Sequence, residues 1–280
     1  MITSENKIKC EVCPNECLLA LGQIGKCRAR KNVDHRIVSG NYGKITSLAL
    51  DPIEKKPLRQ FFPGSKILSV GSYGCNLHCG FCQNHDISMV GEQEIRTIYL
   101  SPEELAQKAA ELRDQGNIGV AYTYNEPLIG YEYIKDTARI VQSMGMKNVI
   151  VSNGTANLWV LEELLPYVDA MNIDLKGFTQ EFYDKVGGNL KTVKETIRLA
   201  AAHCHVELTT LIVPGENDSL EEMNEEAKWI ASVNPDMVLH ISRFFPEYQM
   251  LDKEATSISR IMDLAEVARK YLKNVYLGNC

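Results

Sequence analysis

Gly74-Cys75-Asn76-Leu77-His78-Cys79-Gly80-Phe81-Cys82 sets three thiols at a C-x3-C-x2-C spacing, directly behind the apolar run Ile67-Leu68-Ser69-Val70. Three thiolates in so short a loop suit iron or zinc. They are one ligand short of the four that a closed structural zinc site or a fully cysteine-ligated iron–sulfur cluster takes. The missing ligand leaves a coordination position through which a small molecule reaches the metal, so the spacing points to catalysis before it points to a structural staple.

Outward from this loop the chain repeats itself. Short apolar runs rich in β-branched residues recur about every thirty residues, the pattern of βα units around a parallel sheet. They are Ile67–Val70, Ile118–Thr123, Asn148–Ser152, Ala170–Leu175, Val206–Val213, Val238–Ser242 and Asn274–Leu277. Helical patterns lie between them. Ser101-Pro102-Glu103-Glu104 carries a cap, a proline suited to the first helical position and the glutamate of a capping box, with Gly116 beyond the far end. Further helices are expected from Leu128 to Gly145, from Thr192 to Cys204 and behind Ser219-Leu220-Glu221-Glu222. The fold predicted for residues 65–280 is α/β, a partial (β/α)6-type TIM barrel with its site at the C-terminal strand ends.

Those ends are polar. They carry Tyr122-Thr123-Tyr124-Asn125-Glu126-Pro127, Ser152-Asn153-Gly154 and Asp174-Leu175-Lys176; the later strands carry Glu207, Pro214-Gly215, His240, Ser242 and Arg243. Taken singly such residues are solvated loops or caps, but their joint occurrence above an open metal site makes them candidate ligand contacts.

Residues 1–64 read as a small Cys-rich extension. Cys10, Cys13, Cys17 and Cys27 form a four-thiolate set among glycines, where metal binding supplies ordering energy that packing cannot. Zinc and a second iron–sulfur cluster both accept four thiolates. A hairpin is expected around Gly40-Asn41, followed by a turn-rich connector through Asp51-Pro52, Pro57 and Pro63-Gly64.

Composition narrows the class. A net charge of −6 with interspersed signs gives no footprint for nucleic acid or an anionic membrane. No apolar run approaches the ~20 residues that span a bilayer, and Met1-Ile2-Thr3-Ser4-Glu5-Asn6 lacks the plan of a leader. The expectation is a cytoplasmic protein whose clustered cysteines bind metal rather than form disulfides. Cys204 reads as a small buried hydrophobe.

Cys75-x3-Cys79-Gly80-Phe81-Cys82 resembles the signature of the radical S-adenosylmethionine (radical SAM) enzymes. That resemblance implies a [4Fe–4S] cluster on the three thiolates, with S-adenosyl-L-methionine chelating the fourth iron. It further implies Glu126 as partner of the methionyl ammonium, Ser152 and Asn153 as ribose or carboxylate contacts, and Asp174 with Lys176 at the carboxylate. His240 is a further cofactor-side candidate, and a reductant such as ferredoxin or flavodoxin is implied as partner, with a protein partner or protein substrate alongside. Tyr124-Asn125 stands where family members have two glycines, and Val151 stands where pyruvate formate-lyase activating enzymes have a carboxylate. Cys-x2-Cys-Pro-x2-Cys, Asp51-Pro52-Ile53-Glu54-Lys55-Lys56-Pro57-Leu58 and His240-Ile241-Ser242-Arg243-Phe244-Phe245-Pro246 resemble the radical SAM component of the AmmeMemoRadiSam system, whose fuller members continue beyond the segment resembling Tyr276–Asn279. Two other functions fit the residues: activation of a glycyl-radical enzyme, and a non-catalytic scaffold with zinc on both cysteine sets, the three-thiolate one completed by His78 or His85.

Overall fold

Each apolar run of the sequence becomes a strand of one sheet in the computed structural model, which describes residues 7–280. The reading of Met1–Asn6 as leaderless therefore lies outside the described residues. The strands are β1 Ser47–Pro52, β2 Lys66–Gly71, β3 Asn117–Tyr122, β4 Lys147–Ser152, β5 Ala170–Asp174, β6 His205–Ile212, β7 Val238–Arg243 and β8 Val275–Gly278. They lie side by side in chain order. β2 to β8 are parallel, and β1 runs antiparallel to β2. Seven parallel strands wound in one direction with helical crossovers form a partial barrel, as the sequence predicts.

Beyond a single turn at His85–Ser88, the helices between strands are α1 Pro102–Glu111, α2 Tyr131–Ser143, α3 Leu158–Leu164, α4 Gln180–Val186, α5 Leu190–Ala201, α6 Leu220–Val233 and α7 Ile258–Ala268. The capping box forms: Ser101 Oγ accepts Glu104 N at 3.2 Å, and Glu104 Oε2 accepts Ser101 N at 2.7 Å. Three helices, α3, α4 and α7, have no counterpart in the sequence reading. Two of them still carry ordinary caps, Thr179 accepting Phe182 N and Ser257 accepting Arg260 N.

Strand alternation divides the core in two. Leu68, Val120, Ile150, Ile173, Leu208 and Ile241 meet the helices in the large outer core. The inward positions Ile67, Ala121, Val149 and Ala170 are small or few, and they pack around Ile53, Leu58 and Phe61. The expected connector is thus a plug that fills the lower barrel. Asn172 Nδ2 donates to Pro57 O at 2.9 Å, and Glu207 accepts Arg59 N at 2.9 Å and Gln60 N at 2.7 Å. The strand before residue 64 is hydrogen-bonded along its length to the strand after it.

The hairpin falls elsewhere than expected. It joins Arg30–Val33 to Arg36–Ser39 through Asp34 and His35, both at positive φ (48° and 60°). A two-residue turn needs that conformation twice, and Asp adopts it without glycine, so the Gly40-Asn41 signal misled.

Candidate active site

The plug leaves the upper barrel open as a cavity of about 440 Å³ at the C-terminal strand ends. Cys75, Cys79 and Cys82 line it together, on the loop that leaves β2. Gly74 makes that loop possible. Its φ is +86°, and a Cβ there would stand 2.4 Å from Cys27 O, so only glycine fits the seam between the loop and the N-terminal segment. Burial pushes the Cys79 thiol up to about 11, so metal ligation is what would hold it as a thiolate near neutral pH. His78 is exposed, and His85 bonds Cys82 O at 3.1 Å and stacks on Tyr248. Neither lines the cavity, so neither imidazole completes the three-thiol set there.

On the facing wall, Glu126 is buried. Its Oε1 accepts Ser152 Oγ at 2.8 Å and Leu128 N at 3.0 Å, and its Oε2 accepts Asn153 N at 2.8 Å. Burial outweighs these three neutral donors and raises the carboxyl to about 7. Asn153 joins the two walls. Its Nδ2 donates to Asn76 Oδ1 at 2.9 Å and approaches Cys75 Sγ at 3.6 Å. Asn125 ties the glutamate's loop to the same place, donating to Gly74 O at 3.0 Å and accepting Ser72 N at 2.9 Å.

Asp174 and Lys176 also line the cavity, paired at 2.7 Å. Burial works against the Lys176 ammonium, but Asp174 and the cysteine sulfurs together hold it above its ordinary range. Val151 leaves the neighbouring wall apolar. The cavity thus gathers Glu126, Ser152, Asn153, Asp174 and Lys176 with the three cysteines.

His240 is not among them. It lies one pleat below Ser242, which does line the cavity, and its Nε2 bonds Glu207 Oε2 at 2.6 Å while its ring stacks on Tyr276. The position therefore belongs with Glu207, which in turn holds the plug. Conversely, the sequence reading missed Lys56 and named Tyr124 only within a polar strand end; both line the floor. Tyr124 has φ +73°, so it keeps the left-handed backbone a glycine would favour and adds a side chain; the glycine comparison carried a signal of that.

The N-terminal thiols sit against the mouth. Cys10, Cys13 and Cys27 are buried and Cys17 is half-buried. Cys17 Sγ accepts Lys26 N at 3.5 Å and Cys27 Sγ accepts Arg30 N at 3.3 Å. Asn15 Nδ2 donates to Asn76 O at 3.0 Å and Arg28 Nη1 to Cys75 O at 3.3 Å, so this segment backs directly onto the three-cysteine loop. All nine cysteines are free, and among the described residues no three metal-binding side chains close on a single-ion position. Among the described residues no helix is long and apolar enough to cross a membrane.

Known proteins are similar to this chain in sequence and in fold. A family profile described as the radical SAM superfamily matches residues 69–229. The chain is 38% identical over 279 residues to an uncharacterized protein of Methanocaldococcus jannaschii, covering 98% of this chain and 82% of that one. It is 26% identical over 219 residues to the pyruvate formate-lyase-activating enzyme of Clostridium pasteurianum, covering 72% and 88%. The structure of Streptococcus suis SuiB bound to S-adenosylmethionine superimposes with a TM-score of 0.59 at 16% identity, over 76% of this chain and 52% of that one, a likeness of fold. With the profile spanning more than half of its length, the chain belongs to the radical SAM superfamily of enzymes.

Proposed function

We propose that this cavity seats a [4Fe–4S] cluster on Cys75, Cys79 and Cys82 and S-adenosyl-L-methionine beside it. What carries the reading is the joining of three soft thiols and one under-compensated carboxylate in a single cavity by Asn153. The donor set fits: three thiolates suit iron, and among the described residues no imidazole or fourth thiol lines the cavity. When bound, the pair supplies one-electron cleavage of the sulfonium C–S bond, leaving methionine and a 5′-deoxyadenosyl radical that takes hydrogen from a substrate. The electron comes from a reductant of the ferredoxin or flavodoxin kind.

The chain's own residues bind and orient. Glu126 accepts the methionyl ammonium, which replaces part of the solvation its carboxylate lost on burial. Lys176 meets the methionyl carboxylate from its pair with Asp174, and Ser152 and Asn153 hold Glu126 while offering polar contacts to the ribose side. The plug closes the barrel from below, which keeps water away from a radical that attacks almost any C–H bond. The four N-terminal thiols are the candidate ligands of a second metal group. A cluster suits side chains that do not close on a single-ion position better than zinc does, and their segment braces the loop through Asn15 and Arg28.

The test is anaerobic reconstitution with iron and sulfide, then dithionite and S-adenosylmethionine. A brown chromophore and 5′-deoxyadenosine are expected, and Cys79→Ala should abolish the product while leaving the helical circular dichroism intact. Absence of product from the reconstituted wild type sinks the proposal. Similarity to a pyruvate formate-lyase-activating enzyme favours a second reading, in which the substrate is a glycine of a partner protein. Transfer of deuterium into 5′-deoxyadenosine from an α-deuterated glycyl protein, and not from small molecules, distinguishes it.

A further inference from the structure

The floor of the cavity holds a charged cluster that the cofactor reading leaves unused. Lys56 Nζ donates to Asp51 Oδ2 at 2.8 Å and lies 4.6 Å from the centre of the Tyr124 ring, while Tyr124 Oη donates to the same Asp51 oxygen at 2.6 Å. Lys55 Nζ lies 3.6 Å from Asp51 Oδ1. The Lys56 side chain is only 3% exposed, yet Lys55, Lys56 and Tyr124 all line the cavity.

Two features go beyond what a structural ion pair needs. Two ammonium groups share one carboxylate, the nearly buried Lys56 and, at 3.6 Å, the exposed Lys55 at the cavity edge, which leaves a net positive charge beside the cavity. An ammonium also has three N–H donors, and Asp51 accepts one from Lys56, so a nearly buried cation retains donor capacity toward the cavity. The backbone is held for this purpose. Tyr124 keeps its left-handed φ, a strained conformation for a residue with a side chain, because Asn84 Nδ2 grips its carbonyl at 2.8 Å and Gly71 makes room for its ring. A Cβ on Gly71 would stand 2.8 Å from the Tyr124 ring. Burial is offset by the Lys56 and Tyr124 bonds, so the Asp51 carboxyl is held down at about 2 and stays charged.

We infer that Lys56, with Lys55 and held by Asp51 and Tyr124, binds an oxyanion of the substrate, a carboxylate or a phosphate. The substrate then spans the cavity with its anionic group on the floor and its reacting C–H toward the cysteines. This rests on reading the cavity as a radical SAM site.

Asp51 competes with the bound anion, and that gives the test its sign. The probes are inorganic phosphate, followed by ³¹P line broadening, and acetate, followed by saturation transfer, on protein reconstituted anaerobically with S-adenosylmethionine present. The wild type is expected to bind at least one, and the preferred probe tells which oxyanion the floor suits. Lys56→Met should weaken that binding about tenfold or more, as loss of a charge-assisted bond does. Lys56→Arg should stay within about threefold, and Asp51→Asn should tighten binding severalfold by removing the competing charge.

Opposite signs in the two neutralising variants are not what a packing role produces. Shifts below twofold in both, shifts in the same direction, or no binding of either probe to the wild type overturn the inference. If Lys56→Met does not fold, the tightening by Asp51→Asn still decides. A wild type that makes 5′-deoxyadenosine but shows none of this pattern loses the anion site alone. One that shows the pattern without making 5′-deoxyadenosine loses the radical reading alone.

Discussion

Two glutamates buried at opposite ends of one barrel have opposite fates. Glu207, at the lower end, accepts two backbone N–H groups from the plug and contacts the imidazoles of His205 at 2.9 Å and His240 at 2.6 Å. Burial would raise it, but these four partners hold its carboxyl down at about 2. Glu126, at the mouth, accepts three neutral donors, and burial lifts it to about 7. The lower carboxylate is finished by the protein, and the upper one is not. A buried acid whose charge the fold leaves under-compensated is a place for a cation to bind, whereas a fully compensated one is part of the framework.

The largest effect should come from breaking the finished site. A fall from the ordinary 4.5 to about 2 is worth about 3 kcal/mol of stability, so Glu207→Gln should lower the unfolding free energy by that order at pH 7. Because the folded value is the depressed one, this contribution is complete above pH 4.5 and disappears as pH falls toward 2. Urea unfolding of the metal-free protein from pH 7 to pH 3 should therefore show the two stabilities converging on the acid side. Parallel curves would mean that Glu207 does not carry the charge.

Removing the unfinished site should move binding instead of stability. Glu126→Gln keeps the shape and deletes the charge proposed to meet the methionyl ammonium, so affinity for S-adenosylmethionine should fall about tenfold to a hundredfold. Equilibrium binding to the reconstituted protein reads this directly. An unchanged affinity would make Glu126 a second framework acid and erase the contrast.

The contrast was only half visible in the sequence. Short apolar runs and the recurring βα interval fixed the positions of β2 to β8, because each strand had to bury its outward face against helices. The C-x3-C-x2-C loop and Glu126 were legible because both are local and stand at strand ends. The plug was not. Asp51-Pro52 and Pro63-Gly64 are turn signals, and nothing local reveals that Ile53, Leu58 and Phe61 between them fill a barrel from within. Lys56 was lost with it, since its partners Asp51 and Tyr124 meet only after the plug is in place. His240 failed for a related reason. A strand puts alternate residues on the same face at different depths, and sequence alone does not say whether the residue facing inward is at the mouth or one pleat below.

His240 offers the smallest and sharpest of these tests. It faces inward like the cavity residues, but it supports Glu207 from below. If depth in the barrel decides its role, His240→Phe, which keeps the stack on Tyr276 and loses one bond to the carboxylate, should lower stability by only about 1–2 kcal/mol. Affinity for S-adenosylmethionine should stay within about twofold, since no atom of the ring lines the cavity. The loss should also shrink on the acid side, as for Glu207→Gln, because it acts through the same charge. A fall in cofactor affinity without that pH dependence would place His240 with Glu126, and the line between framework and binding carboxylates would have to be drawn lower in the barrel.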